Sequence, residues 1–106
     1  MENNELIARL KNVCKELILQ LRGNNGENGN ALIDSNLISA LHSYIDLYKQ
    51  SISNDSMVSK EIVGILLNTC SRFYIQSKYS KNSDDLLEEF DRINGKLLGI
   101  FVPKDM

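Results

Sequence analysis

Four separate stretches of the chain carry apolar residues at intervals of three and four, and the only proline, Pro103, follows the last of them. This spacing gathers apolar side chains on one face of an α-helix. A proline at that position interrupts none of the four stretches. The sequence therefore predicts an all-α fold, with helices at about residues 4–22, 36–52, 58–79 and 84–101.

The predicted helices are similar in length, and the chain is short enough for one core. Its 106 residues, 42% of them hydrophobic and 25% charged, are typical of a single soluble domain covering 1–106. Short connections favour a four-helix bundle of up-down-up-down course. The exception is the glycine- and asparagine-rich stretch at 23–33, which we expect to be a mobile loop that spans the bundle end or lets the first helix cross over.

The predicted third helix carries apolar residues around more than half of its circumference, and we expect it to be the most buried element. Gly64 inside it predicts close approach of a neighbouring helix. Ile65 and Ile75 lie off its main apolar line and need another neighbour. Either the bundle encloses this helix deeply or an apolar strip is left for a second chain, and we favour the strip.

Several partners and locations are disfavoured by composition. A net charge of −2 without clustered Lys or Arg gives no electrostatic basis for binding nucleic acid. The longest apolar run, 62–67, is far shorter than the roughly 20 residues of a membrane span. The acidic, polar start of the chain lacks the pattern of a secretory signal, so we expect a cytoplasmic, intracellular protein.

No pattern in the sequence indicates catalysis, a cofactor or a metal ion. His42 is the only histidine and has no ligand-type spacing to another residue. Cys14 and Cys70 fall in mid-helix on apolar faces, which is typical of reduced, inert thiols. The glycines of the first loop lack the context of a phosphate-binding loop. We expect no enzyme, and a deep polar pocket around His42 would revive that hypothesis.

The densest acidic group lies at the start of the fourth helix. We expect it to complement the helix dipole and to form a solvated outer face after a cap supplied by the 83–85 run. Its members are Asp84, Asp85, Glu88, Glu89 and Asp91.

Aromatic residues concentrate on the second helix and the later part of the third, where they serve either as core or as interface. If these two helices pack antiparallel, their rings share one region. We predict a small non-enzymatic interaction module, a subunit or adaptor, that binds another protein or a second copy of itself. The predicted contact residues are Tyr44, Tyr48, Ile65, Phe73, Tyr74 and Ile75.

An alternative function comes from a resemblance that carries no motif. In size, acidity and predicted four-helix layout, the chain resembles the bacteriocin-immunity class. That resemblance implies a small acidic inhibitor that neutralises a cognate toxin or enzyme. The acidic residues at 84–91 would then steer a tight partner.

Overall fold

The computed structural model describes residues 4–105 and confirms an all-α fold of four helices packed as a bundle. Helix α1 spans Asn4–Gln20, α2 spans Ser35–Ser51, α3 spans Lys60–Ser77 and α4 spans Ser83–Phe101. Each lies within a few residues of its predicted bounds, and α4 continues through Gly95 as its apolar spacing indicates.

Side chains before two of the helices satisfy the first free backbone N–H groups. The carboxylate of Asp34 accepts hydrogen bonds from the backbone N–H groups of Asn36 and Leu37, each at 3.1 Å, and so starts α2. These bonds, the one to Leu37 foremost, lower the pKa of Asp34 below its usual value. The Ser59 hydroxyl accepts from the N–H of Ile62 at 3.4 Å at the start of α3.

Each helix has two packed neighbours, and within residues 4–105 the helices α2 and α3 do not contact each other. The packed pairs are α1 with α2, α1 with α3, α3 with α4 and α2 with α4. The chain thus crosses the bundle diagonally between α2 and α3. The condition under which the aromatic rings of α2 and α3 would share one region is therefore not met, because the two helices are not neighbours in the bundle.

Contacts at both ends fix the directions of the neighbouring helices. Lys11 in the first half of α1 pairs with Glu61 at the start of α3, and Asn24 after α1 accepts a hydrogen bond from Gln76 near the end of α3. Helices α1 and α3 therefore run in the same direction. Helices α2 and α4 also run in the same direction, because their two ion pairs occur in the same order along both.

All four helices contribute to one apolar core. The longest set of buried residues, seven, belongs to α3. Gly64 does not mark a close helix approach as predicted, since a Cβ there would meet nothing within 4 Å. The fully buried large side chains include Leu10, Leu17, Leu41, Tyr48, Leu66, Phe73, Leu86 and Ile93.

The loop between α1 and α2 is hydrogen bonded to the connection between α3 and α4. Asn82 uses its side chain on both backbone groups of the buried Ala31, accepting from its N–H at 2.9 Å and donating to its carbonyl at 3.0 Å. The Lys81 N–H donates to the Gly29 carbonyl at 3.0 Å. Asn82 therefore precedes α4 without capping it through its side chain. The mobility expected for this loop stays a prediction.

No helix in the part of the chain that the structure describes is long and apolar enough to cross a bilayer.

Candidate functional site

The six residues predicted to contact a partner do not form one surface. Tyr48 and Phe73 are completely buried, so neither offers area to another protein in this structure. Tyr48 contacts Phe101, with ring centroids 6.4 Å apart, and belongs to the core. Tyr44 is half-buried on α2, away from α3.

The remaining three residues lie on different sides of α3. Tyr74 is 42% exposed and packs toward α4, where its ring centroid lies 5.3 Å from that of Phe90. Ile65 precedes Tyr74 by nine residues, about two and a half turns, and so lies on the opposite side. Ile75 is 40% exposed and lies seven residues beyond Asn68, on the side that faces α1.

An apolar groove runs between α1 and α3 on the bundle surface. It encloses about 360 Å³, and we call it the α1/α3 groove. Leu19 is 59% exposed on its α1 side, while Ile18 is buried and Ile65 is half-buried beside it. The groove is lined by Lys15, Ile18, Leu19, Arg22, Ile65 and Asn68.

Both charged residues of the groove are basic. Lys15 and Arg22 are exposed and form no ion pair within residues 4–105. The nearest carboxylate along α3, Glu61, is already paired with Lys11 at 2.5 Å, and the Lys11 hydrogen bond lowers the pKa of Glu61. The groove is therefore apolar in its floor and positively charged at its rim.

Leu19 was not among the residues predicted to contact a partner. This residue follows Leu10 by nine positions, which places it on the side of α1 opposite the core. Leu17, Ile18 and Leu21 already occupy the inner stripe around it. A leucine out of phase with a complete apolar stripe was the available signal.

A polar cleft of about 380 Å³ separates α2 from α4. At its floor His42 Nε2 lies 2.6 Å from Glu89 Oε2, and both side chains are more than nine-tenths buried. The exposed Arg92 donates to the other Glu89 oxygen at 2.8 Å. Residues lining the cleft include Ser35, Ser39, Ser43 and Asp46.

Glu89 corrects the expectation of a wholly solvated acidic group. It is 6% exposed, whereas Asp84, Asp85, Glu88 and Asp91 are exposed as predicted. Glu89 follows the buried Leu86 by three residues and precedes the buried Ile93 by four, so it belongs to the inner stripe of α4. Residues 84–91 are all acidic or apolar, so the sequence alone did not distinguish Glu89 from the exposed carboxylates around it.

The cleft does not present a usable imidazole. His42 is 7% exposed, Nε2 is engaged by Glu89, and Nδ1 is buried with no hydrogen-bond partner in the described part of the chain. A general base must lie within hydrogen-bond reach of a bound molecule. In this conformation neither ring nitrogen of His42 is open to a molecule in the cleft.

The two thiols lie inside the bundle. Burial raises the pKa of Cys14 and of Cys70 to about 11 in each case, although a hydrogen bond with Thr69 opposes the shift at Cys14. Both thiols are therefore protonated near neutral pH. Within residues 4–105, no three His, Cys, Asp or Glu side chains come together as a group that could hold a metal ion.

The chain matches no protein-family model, no curated protein and no solved structure.

Proposed function

We propose that this chain is a small non-enzymatic interaction module that holds a helix of another protein in the α1/α3 groove. The observation that carries the proposal is Leu19, a large apolar side chain exposed by 59% at the edge of a concave apolar site. Ile65 is half-buried beside it, and grooves with an apolar lining are frequent binding sites. The proposal includes the cytoplasmic location and the subunit or adaptor role expected from the sequence.

A helix is the occupant that fits this shape. Two helices packed side by side leave a furrow between their outer ridges, and another helix can lay a row of side chains into it. Ile65 and Ile75 on α3 are ten residues apart, a rise of about 15 Å, which corresponds to roughly three turns of a partner. The partner would pack as a fifth helix against the bundle.

Site-specific crosslinking tests the proposal. A photoreactive amino acid is placed at Leu19, and separately at Leu98 on α4, which is a matched control because it is 52% exposed. In extract of cells that express the chain, we expect one protein to crosslink at position 19 and not at position 98. The purified partner should then bind the full chain and lose at least about tenfold in affinity with Leu19→Ser.

The same experiment addresses the alternative function. Four exposed carboxylates on α4 form no ion pair within residues 4–105, which suits a basic partner such as a toxin or enzyme. An inhibitor of the immunity type would crosslink at position 98 and lose affinity when Glu88 and Asp91 are neutralised. Identical crosslinks at both positions, or no effect of Leu19→Ser on the purified pair, would refute the groove as the binding surface.

A further inference from the structure

We infer that the partner held by the α1/α3 groove is an acidic amphipathic helix, whose apolar ridge covers Leu19 and whose carboxylates pair with Lys15 and Arg22. This inference rests on the proposed function of the groove. It adds the charge of the partner helix, which the apolar lining of the groove alone does not specify.

The charge of the groove points to acidic partners. Lys15 and Arg22 line it together with no carboxylate, although the chain as a whole carries a net charge of −2. Neither cation forms a salt bridge within residues 4–105, although the charge of Lys15 contributes to lowering the pKa of Glu61. Complementary charge around an apolar centre speeds association and excludes partners of the wrong sign.

The two cations lie on either side of Leu19 along the groove. Lys15 precedes Leu19 by one turn on α1, and Arg22 lies two residues beyond the end of α1 at Gln20. A partner helix with apolar residues over Leu19 therefore has a cation near each end of that contact, where its carboxylates can pair with Lys15 and Arg22.

Arg72 is a third cation on the same side of α3 as Asn68, although it does not line the groove. Arg72 lies one turn beyond Asn68 on α3 and is half-buried. Its Nε is buried and has no acceptor among residues 4–105. A carboxylate on the side of the partner helix that faces α3 would be attracted to the guanidinium group of Arg72. The expected partner therefore has acidic residues on both sides of its apolar ridge.

A second copy of this chain fits the groove poorly. A two-fold contact through this face would bring Lys15 and Arg22 of one copy against the same residues of the other. Like charges at close range oppose such a contact. The acidic helix of the chain itself, α4, cannot supply the ridge, because Leu86, Ile93 and Leu97 are buried in its own core.

Peptide binding by the full-length chain tests the inference. The probe is a capped helical peptide of about 16 residues with a leucine ridge at i, i+3 and i+7 and glutamates on both flanks. Its matched control has the same ridge with lysines in place of the glutamates. By fluorescence anisotropy we expect the acidic peptide to bind at least about tenfold more tightly, and to weaken several-fold between about 50 and about 300 mM salt.

Variants of the chain then assign the effect to the groove. The double variant Lys15→Glu/Arg22→Glu should lose at least about tenfold in affinity for the acidic peptide and gain affinity for the basic one. The charge-matched control is Lys49→Glu/Lys104→Glu, which alters exposed lysines outside the groove. We expect that control to change the affinity by less than about twofold.

The outcomes separate failure of the inference from failure of the proposed function. If Leu19→Ser weakens both peptides while charge reversal at Lys15 and Arg22 changes neither, the groove binds helices without selecting charge, and only the inference is wrong. If wild-type protein binds neither peptide, the inference is wrong, and crosslinking at Leu19 decides on the groove.

Two other occupants are tested in parallel, and either would overturn the inference. One is binding to anionic phosphatidylserine vesicles that is abolished by Lys15→Glu/Arg22→Glu, together with no preference for the acidic peptide. The other is growth of mass with concentration in light scattering that Leu19→Ser prevents, which would identify a second copy as the occupant.

Discussion

The α1/α3 and α2/α4 pairs each consist of neighbouring helices that run in the same direction, but they differ in whether their charged side chains are paired with each other. The α2/α4 pair buries a histidine and a glutamate against each other and adds the exposed Asp46–Lys96 pair. The α1/α3 pair buries uncharged groups, among them Cys14 and Thr69, and leaves Lys15 and Arg22 unpaired outside.

This difference separates charges that the fold uses from charges that it leaves available. Polar contacts between α2 and α4 are specific, so we infer that they help to select which helices become neighbours, a role known for some buried polar groups. Lys15 and Arg22 of the α1/α3 groove form no salt bridge within residues 4–105. Together with the exposed Leu19, they form a surface that contributes little to the packing of the bundle.

The largest expected effect contrasts the inside and the outside of the α1/α3 pair. Phe73→Ala removes a completely buried ring from α3 and should lower the free energy of unfolding by about 3–5 kcal/mol. Leu19→Ser changes an exposed side chain and should alter it by less than about 0.5 kcal/mol. Urea unfolding followed by circular dichroism measures both. Equal losses would show that Leu19 belongs to the core.

A second, smaller effect tests the buried pair of the α2/α4 cleft. Glu89→Leu keeps the volume but leaves the His42 imidazole without its acceptor, and should cost about 2–3 kcal/mol. The double variant His42→Leu/Glu89→Leu removes both polar groups and should recover most of that loss.

The control for that prediction is His42→Leu alone, which leaves Glu89 buried with only Arg92 as its partner. If the double variant loses the sum of the two single losses, the two side chains do not stabilise each other, and the pair does not select helix neighbours.

The pH dependence of stability probes the α1/α3 pair. The pKa of Glu61 is lowered by Lys11, so its contribution is present above its unfolded pKa and is lost as the pH falls through the folded value. The pKa of Cys14 is raised from 9.0 to about 11, so the folded state loses stability as the pH rises over that interval.

Unfolding curves across the pH range should separate these two contributions. Lys11→Met should reduce the loss of stability on the acid side, and Cys14→Ala should reduce the loss on the alkaline side. A wild-type curve with no alkaline decline up to about pH 11 would contradict burial of Cys14 as a neutral thiol.

The smallest expected effect lies at the solvent edge of the α2/α4 pair. Asp46→Asn removes the charge from an exposed ion pair, in which Lys96 Nζ lies 3.0 Å from Asp46 Oδ1. We expect a loss of about 0.5 kcal/mol or less, and none in high salt. A loss as large as that of Glu89→Leu would show that the exposed pair, and not the buried one, holds α2 to α4.

Helical spacing was enough to predict the four elements, because each inner stripe repeats over several turns. The neighbours of each helix were not predictable, since four apolar stripes can close a core in more than one arrangement. Ser83 looked like the cap of α4, yet Asn82 precedes it and binds Ala31 from a loop distant in sequence. Long-range hydrogen bonds of this kind leave no local pattern.

The candidate site was predicted only in part. Ile65 and Ile75 were identified from their position off the main stripe of α3, and of the two only Ile65 lines the groove. Tyr48 and Phe73 were included because aromatic residues suit both cores and interfaces. The sequence could not distinguish these roles without knowing that α2 and α3 are diagonal. The cations at the rim of the groove could not be predicted without knowing that α1 packs beside α3.

The most direct test compares the two pairs in one experiment. The acidic peptide is titrated into the labelled full-length chain, and backbone amide chemical shifts are followed by NMR. We predict that the shift changes concentrate on the α1 and α3 residues of the groove, around Leu19 and Ile65, and spare the cleft around His42. Changes centred on the α2/α4 cleft, or none at saturating peptide, would contradict the account.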